Sequence, residues 1–115
     1  MIEPGEIYMA DVPPGQQHRI VIVSREELNR GKYVVAALIT SQKFAIRSTL
    51  ANCIPLKAGQ FGLTQDSVVQ GESAGPIRVA RLDLAGGALA KLDDMTFRDV
   101  IRAIGYVMDS DCEPN

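Results

Sequence analysis

The hydrophobic pattern of the chain changes period in its last third, and this change constrains the fold more than any other feature. Before it, apolar residues form short runs rich in Val and Ile, such as His18–Ser24 and Lys32–Thr40, which are typical of buried strands. After it, apolar side chains recur at helical spacing, at Phe97, Val100, Ile101, Ile104, Val107 and Met108. We therefore expect a mainly β fold that ends in one amphipathic helix.

Six short strands are predicted before that helix. They lie at Gly5–Val12, His18–Ser24, Lys32–Thr40, Asn52–Lys57, Leu63–Glu72 and Ile77–Leu82. Pro55 in the fourth strand indicates a sheet edge or a bulge. Between strands, Ser24–Gly31 is predicted as a short helical turn capped by Ser24, and Ser41–Leu50 as a polar, basic connection. This pattern favours a small barrel or strongly bent antiparallel sheet with the helix packed on it.

The length of the chain bounds its domain organisation. With 115 residues we expect one domain, since single domains commonly have roughly 100–200 residues. We place this domain at residues 1–108, with Asp93 or Asp94 as the N-cap of the helix. Residues 109–115 are expected to form a disordered, acidic tail.

The inventory of residues and motifs argues against several classes of protein. Cys53 and Cys112 lack C-x-x-C spacing, and His18 is the one histidine, so we expect no metal and no cofactor. There is no G-x-x-x-x-G-K-[ST], G-x-G-x-x-G, H-E-x-x-H or G-x-S-x-G motif, which disfavours nucleotide-dependent enzymes, zinc proteases and hydrolases of the usual kinds. No apolar run approaches the roughly 20 residues of a membrane span. We expect a cytoplasmic protein with reduced thiols and no membrane partner.

Charge is distributed unevenly along the sequence. The formal net charge is −2, yet residues 19–81 hold nine Lys and Arg against four acidic residues, and residues 82–115 hold three against seven. The basic middle segment presents a local positive face if its side chains converge in the fold. The alternative is a solvated surface of mixed charge.

Polar residues stand where the apolar strands begin or end. They are His18 and Arg19 before the second strand, Thr40, Ser41 and Gln42 after the third, and Glu72 after the fifth. Strand ends of a small barrel are where side chains from different strands meet, so we expect a functional site there. Other interpretations stay open: Arg19 as a surface charge or as an ion-pair partner of Glu72, and Thr40 as a hydroxyl that bonds the backbone of a turn.

Four short motifs follow one another in a defined order. They are GEIY at Gly5–Tyr8, an arginine followed by Val and Ser at Arg19–Ser24, ITSQ at Ile39–Gln42 and GLTQDSVV at Gly62–Val69. In this order and spacing they resemble the MazF/PemK family of toxin endoribonucleases over nearly the whole chain. One position within them departs from the family pattern, because Ile20 stands where proline is usual.

The resemblance implies a small SH3-like barrel with a C-terminal helix that forms a homodimer and is neutralised by a cognate antitoxin protein. It also implies metal-independent cleavage of single-stranded RNA by attack of a 2′-hydroxyl on its own phosphate. Arg19 and Thr40 are then the expected catalytic residues, since a guanidinium stabilises phosphoryl charge and a hydroxyl orients the phosphate. The expected substrate-binding residues are His18, Ser41, Gln42, Lys43, Arg47 and Glu72. For His18, a general base, an RNA contact and plain surface stay open.

One segment departs further from the family. Many relatives carry a Gln, an Arg and an Asp where this chain has Ser73, Gly75 and Arg78, and only Glu72 is retained. The alternative function is therefore a catalytically degenerate MazF/PemK-like or CcdB-like binding protein. Such a protein would dimerise and bind an antitoxin or a protein target without cutting RNA.

Overall fold

One curled antiparallel sheet with a helix packed on it accounts for residues 1–109, the part of the chain that the computed structural model describes. Its seven strands are β1 (Glu6–Asp11), β2 (Gln17–Ile22), β3 (Tyr33–Thr40), β4 (Cys53–Leu56), β5 (Ser67–Gln70), β6 (Gly75–Arg78) and β7 (Ala90–Lys91). The two helices are α1 (Phe44–Arg47) and α2 (Asp94–Val107). The strand order is β4-β5-β3-β2-β1-β7, and β6 also pairs with β3.

The central strand β3 pairs with three other strands. Along one edge it pairs with β2, where Ile20 lies opposite Leu38. Along the other edge, β6 pairs with residues 33–36, and β5 pairs with Ile39 and Thr40. The partner on that edge therefore changes within one strand, and the sheet curls into a half-barrel.

Both faces of the sheet are buried, which explains why its strands are continuous apolar runs. Ile7 and Val21 are fully buried on the face that packs against α2 through Val100. Their neighbours Tyr8 and Ile20 are buried on the opposite face, in a second apolar cluster. Alternate residues of the same strand thus serve two different cores.

Helix α2 begins at an aspartate cap. The Asp93 carboxylate accepts hydrogen bonds from the Thr96 backbone N–H at 2.7 Å and from the Thr96 hydroxyl at 3.1 Å. These bonds satisfy a free N–H of the first turn, and they hold the pKa of Asp93 below its ordinary value. Of the two expected caps, Asp93 is confirmed.

The face of α2 that contacts the sheet is narrower than its apolar pattern predicts. Val100 and Ala103 are buried there, with Phe97 and Ile104 packed beside them. Three other residues of the predicted apolar stripe, Ile101, Val107 and Met108, are exposed. The side chains at the edges of the stripe therefore stay outside the core of this chain.

Several element boundaries differ from the expected ones. The expected strand Ile77–Leu82 is wrong: the strand runs over Gly75–Arg78, and Val79–Arg81 forms a 3-10 turn. Of Leu63–Glu72 only Ser67–Gln70 is a strand, and the expected connection at Ser41–Leu50 contains the short helix α1. The two-residue strand β7 was not expected, because it carries no local pattern and exists through its pairing with β1.

Ser24 does not cap a helix, so that expectation is wrong. Its buried hydroxyl donates to the Asn29 side-chain oxygen and accepts from the Val35 N–H at 2.9 Å. Asn29 in turn donates to the carbonyls of Ile2 at 3.1 Å and Ser24 at 3.0 Å. The segment between β2 and β3 is a 3-10 turn at Glu26–Leu28 without a side-chain cap, and this buried network holds it in place.

The expected fold class, a bent antiparallel sheet with a C-terminal helix, is confirmed. No helix within residues 1–109 is long and apolar enough to cross a membrane. Cys53 is a buried free cysteine, and burial raises the pKa of its thiol. Of the expected tail at 109–115, residues 110–115 lie outside the described part of the chain, as does Cys112.

Gly71, the first residue after β5, lies close to the backbone of α2. Its backbone N–H donates to the Asn52 carbonyl at 2.7 Å. A Cβ at this position would lie 2.7 Å from the Asn52 oxygen and 3.2 Å from the Ala103 carbonyl carbon. Both contacts are with backbone atoms, which cannot rotate away, so any side chain here separates the helix from the sheet.

We expect Gly71→Ala to lower the free energy of unfolding by about 1–3 kcal/mol, the usual cost of overpacking a core. Gly31→Ala is the matched control, since no atom lies within 4 Å of a Cβ built at Gly31. Urea denaturation followed by circular dichroism measures both variants. Equal midpoints for Gly71→Ala and the control would contradict the close approach.

Candidate active site

A cleft of about 270 Å³ opens where β2 begins and β3 ends. We call it the strand-end cleft; it is lined by Met9, Gln17, His18, Arg19, Ile39, Thr40, Ser41, Gln42, Leu63, Thr64, Gln65 and Ser67. The two strands are antiparallel neighbours, with Arg19 opposite Ile39, so the start of one and the end of the other share an edge. The register thereby brings together five of the expected site residues, namely His18, Arg19, Thr40, Ser41 and Gln42.

Arg19 supplies positive charge to the strand-end cleft. It is half-buried, and within residues 1–109 no carboxylate forms a salt bridge with its guanidinium. Three cations in this part of the chain do form salt bridges, namely Arg81 with Asp11 at 3.4 Å, Lys91 with Glu3 at 3.1 Å and Arg102 with Asp99 at 3.9 Å. A partly desolvated charge without a partner is costly, so this guanidinium favours an anionic ligand.

Thr40 ends β3 in a tight turn. Its hydroxyl oxygen accepts a hydrogen bond from the Gln42 backbone N–H at 3.1 Å, so the interpretation as a turn hydroxyl holds. The hydroxyl proton is not used by that bond and is free to donate to a ligand. Ser41 and Gln42 follow as exposed residues on the rim of the strand-end cleft.

His18 is held by the loop between β1 and β2. Its Nδ1 lies 3.1 Å from the Val12 carbonyl oxygen, and a carbonyl only accepts, so Nδ1 carries the proton of this hydrogen bond. Nε2 of the neutral ring is then the nitrogen with a lone pair. Continuing the pairing of Arg19 with Ile39 by one residue places His18 across from Thr40 on the same face of the sheet.

Part of the strand-end cleft was missed by the sequence analysis. Thr64 and Gln65 line it from the loop before β5, a segment that was read as strand. The signal available was the pair of glycines before this segment, since Gly59 and Gly62 both adopt positive φ, at 89° and 72°. Such glycines indicate a folded loop, and the Asp66 carboxylate helps to hold it by accepting from the Ala58 N–H at 2.9 Å.

Three expected substrate-binding residues do not line the cleft. Lys43 follows Gln42 directly, with a positive φ of 54°. Arg47 donates to the Gln42 carbonyl at 3.1 Å and so braces the turn after β3. Glu72 accepts from the Asn52 side chain at 2.9 Å, and no salt bridge joins it to Arg19 within residues 1–109.

The three positions that depart from the family pattern also lie outside the strand-end cleft. The Ser73 hydroxyl accepts from the Leu38 N–H at 2.7 Å and donates to the Gln70 carbonyl at 2.7 Å. Gly75 pairs with β3, and the Arg78 guanidinium lies 5.5 Å from the centre of the Tyr33 ring. These residues therefore make structural contacts in this chain.

A metal centre has no evident donor set in the described part of the chain. Among residues 1–109, no three His, Cys, Asp or Glu side chains are grouped so that they could hold an ion. The strand-end cleft itself offers one imidazole, hydroxyls and amides around a guanidinium. This donor set suits a phosphate better than a divalent cation.

Residues 3–108 match the family model of the PemK-like, MazF-like toxins of type II toxin-antitoxin systems. The chain belongs to this family. The resemblance inferred from the four motifs is thereby confirmed, and it extends over both the sheet and α2.

Solved toxin structures share the fold over nearly their whole length. The Mycobacterium tuberculosis toxin MazF-mt6 is 26% identical, with a TM-score of 0.76 over 92% of this chain and 98% of its own. Another toxin of that organism is 25% identical, with a TM-score of 0.67 over 88% and 97%. A MazE-MazF structure from Deinococcus radiodurans shares the fold at 15% identity, with a TM-score of 0.73 over 95% and 96%. Among curated protein sequences, none matches this chain significantly.

We expect Arg19→Gln to change the free energy of unfolding by less than about 0.5 kcal/mol, because the substitution breaks no ion pair. Asn29→Ala is the contrasting variant: it removes three hydrogen bonds from a buried network, and we expect it to cost about 2 kcal/mol or more. Urea denaturation of both variants tests this. A large loss of stability in Arg19→Gln would show that Arg19 serves the fold.

Proposed function

We propose that this toxin is a metal-independent endoribonuclease that cuts single-stranded RNA in the strand-end cleft. The observation that carries the proposal is Arg19, half-buried and without an ion-pair partner among the described residues, in one cleft with Thr40 and His18. A fold neighbour at 18% identity is an endoribonuclease in complex with its cognate antitoxin, from a mycobacterial species. Single-stranded RNA suits an open cleft because its backbone is flexible and its bases are unpaired.

The reaction begins with attack of a ribose 2′-oxygen on its own 3′-phosphate. His18 Nε2 takes the proton of the 2′-hydroxyl while the bond from the 2′-oxygen to phosphorus forms. The bond from phosphorus to the 5′-oxygen of the next nucleotide then breaks. The products are a 2′,3′-cyclic phosphate and a 5′-hydroxyl. The leaving oxygen takes its proton from water, and the hydroxide so formed removes the proton held by His18, which regenerates the neutral imidazole.

Arg19 stabilises the charge that grows on the phosphoryl oxygens during this attack. Its planar guanidinium donates two parallel hydrogen bonds to two oxygens, a geometry that an ammonium does not reproduce. The guanidinium already lines the cleft before substrate binds. Such preorganised stabilisation is commonly the largest contribution to catalysis.

The remaining expected residues bind the RNA around this centre. Thr40 orients the phosphate through its free hydroxyl proton, and Ser41 and Gln42 contact the strand on the rim. Lys43 and Arg47 lie directly beyond Gln42 and attract the following phosphates. Glu72 is bonded to Asn52 outside the cleft, and the mechanism assigns it no step.

The partners of the toxin follow from the same proposal. We place it in the cytoplasm with its RNA substrate, as a homodimer that a cognate antitoxin neutralises. Support for a dimer comes from apolar side chains left in contact with solvent, among them Tyr33 at 49% and Val35, Ile101 and Val107 at 39% exposure each. An antitoxin that covers Arg19 with a carboxylate would block the cleft and satisfy the charge together.

Cleavage of a fluorescent single-stranded RNA in excess EDTA tests the catalytic assignment. We expect Arg19→Ala to lower the rate by about 100- to 1,000-fold, and Arg19→Lys to be nearly as slow, because bidentate stabilisation of the transition state is lost. Arg25→Ala, which removes an exposed arginine outside the cleft, keeps the wild-type rate. The same RNA with 2′-O-methyl groups is not cut.

Three results would change the assignment. Near-wild-type cleavage by Arg19→Ala removes Arg19 from the mechanism. Cleavage that requires added Mg²⁺ overturns metal independence. A wild-type protein that binds antitoxin but cuts no RNA under any condition is the catalytically degenerate binding protein of the alternative.

We expect the purified toxin to be a homodimer at micromolar concentration, because the exposed apolar side chains gain burial by pairing. Size-exclusion chromatography with light scattering measures its mass. Replacing the exposed Ile101 with Glu is expected to shift the distribution toward monomer. A monomeric wild type at that concentration would contradict the proposal.

A further inference from the structure

The carboxylate of Asp11 connects three segments beside the strand-end cleft. Its Oδ1 accepts from the Gly15 backbone N–H at 2.7 Å and from the Gln17 side-chain amide at 3.3 Å. Its Oδ2 lies 3.4 Å from the Arg81 guanidinium, which belongs to the 3-10 turn after β6. One side chain at the end of β1 thereby holds the β1–β2 loop and the first residue of β2.

The loop that Asp11 holds is the one that orients His18. Within it, the Val12 N–H donates to the Gln16 carbonyl at 2.9 Å, and the Gln16 N–H donates to the Pro13 carbonyl at 2.9 Å. The Val12 carbonyl is the acceptor for His18 Nδ1 at 3.1 Å. A change in the position of the loop therefore changes the position and the tautomer of the imidazole.

We propose that Asp11 is a positioning residue, which acts on catalysis by fixing the β1–β2 loop so that Val12 keeps the His18 proton on Nδ1. The proposal rests on the endoribonuclease function proposed above, in which His18 Nε2 is the base. Asp11 itself touches no substrate. Its effect is transmitted through the hydrogen bonds at Gly15 and Val12.

The hydrogen bonds and the ion pair of Asp11 differ in strength, and this difference determines which substitutions should lower the cleavage rate most. The ion pair with Arg81 is largely exposed, with 42% and 35% of the two side chains accessible, so it contributes little. The charge-assisted bond from Gly15 is short and holds the backbone directly. Asp11→Asn keeps an acceptor for Gly15, whereas Asp11→Ala removes it.

The charged groups around His18 are few. Arg19 faces the same cleft from the neighbouring position of β2, and no acidic residue lines that cleft within residues 1–109. Asp11 and Arg81 form the other nearby charges, and they pair with each other.

A double-mutant cycle on kcat tests the proposal. We expect Asp11→Ala to lower kcat on the order of tenfold with little change in KM, because misplacing a catalytic group slows chemistry more than binding. Asp11→Asn and Arg81→Gln stay within about threefold of the wild-type rate. In a His18→Gln background, Asp11→Ala has an effect below about twofold, since the group it positions is gone.

Controls separate positioning from a general effect on the fold. Asp83→Ala is the control, because Asp83, although more exposed than the half-buried Asp11, also accepts from a backbone N–H of its own turn, that of Gly86 at 3.3 Å. This control keeps the wild-type rate, and the melting temperature of Asp11→Ala is measured beside it. The proposal is overturned if Asp11→Ala lowers kcat by the same factor in the His18→Gln background as in the wild type.

Nuclear magnetic resonance gives a second readout that does not depend on cleavage. The chain has one histidine, so the imidazole nitrogen signals belong to His18 without assignment by mutation. We expect a single tautomer with the proton on Nδ1 in the wild type and in Asp11→Asn, and a mixture in Asp11→Ala. Unchanged imidazole signals in Asp11→Ala overturn the positioning role, whereas a toxin that cuts no RNA overturns the proposed function alone.

Discussion

The register between β2 and β3 is the constraint on which the rest of the molecule depends. Pairing Arg19 with Ile39 buries Val21 beneath α2 and Ile20 in the second core. A slip of one residue would exchange the two faces of β2, so that Ile20 and Val21 would no longer face their own clusters. The same hydrogen bonds therefore specify the fold and set the geometry of the strand-end cleft.

Much of the sheet could be predicted because its strands carry strong local patterns. The Val-rich and Ile-rich runs located β2 and β3, and the alternating residues of Gly5–Val12 located β1. Pro55 indicated an edge or a bulge, and β4 lies at a sheet edge. Asp93, one of the two predicted caps, is the N-cap with which α2 begins. The predictions that were wrong or missing concern segments whose structure depends on long-range contacts. Strand β7 forms only through its pairing with β1. Ser24 bonds to the buried Asn29 instead of capping a helix.

The part of the site that lies at the adjacent ends of β2 and β3 could be predicted from the sequence. His18, Arg19 and Thr40 could be brought together from the order of the strands alone, since an antiparallel pair joins the start of one strand to the end of the next. Thr64 and Gln65 could not, because their place depends on how a glycine-flanked loop closes over the sheet. Nor does a sequence reveal that, among residues 1–109, no carboxylate forms a salt bridge with the Arg19 guanidinium.

Ser73 closes the gap on β3 between the end of its pairing with β6 and the start of its pairing with β5. One hydroxyl there satisfies the Leu38 N–H and the Gln70 carbonyl together. A family member with glutamine at this place must satisfy both groups by other means. The residue at position 73 therefore has a structural role in this chain. Replacing Ser73 with the residue of a relative will lower the free energy of unfolding, in addition to any change in substrate recognition.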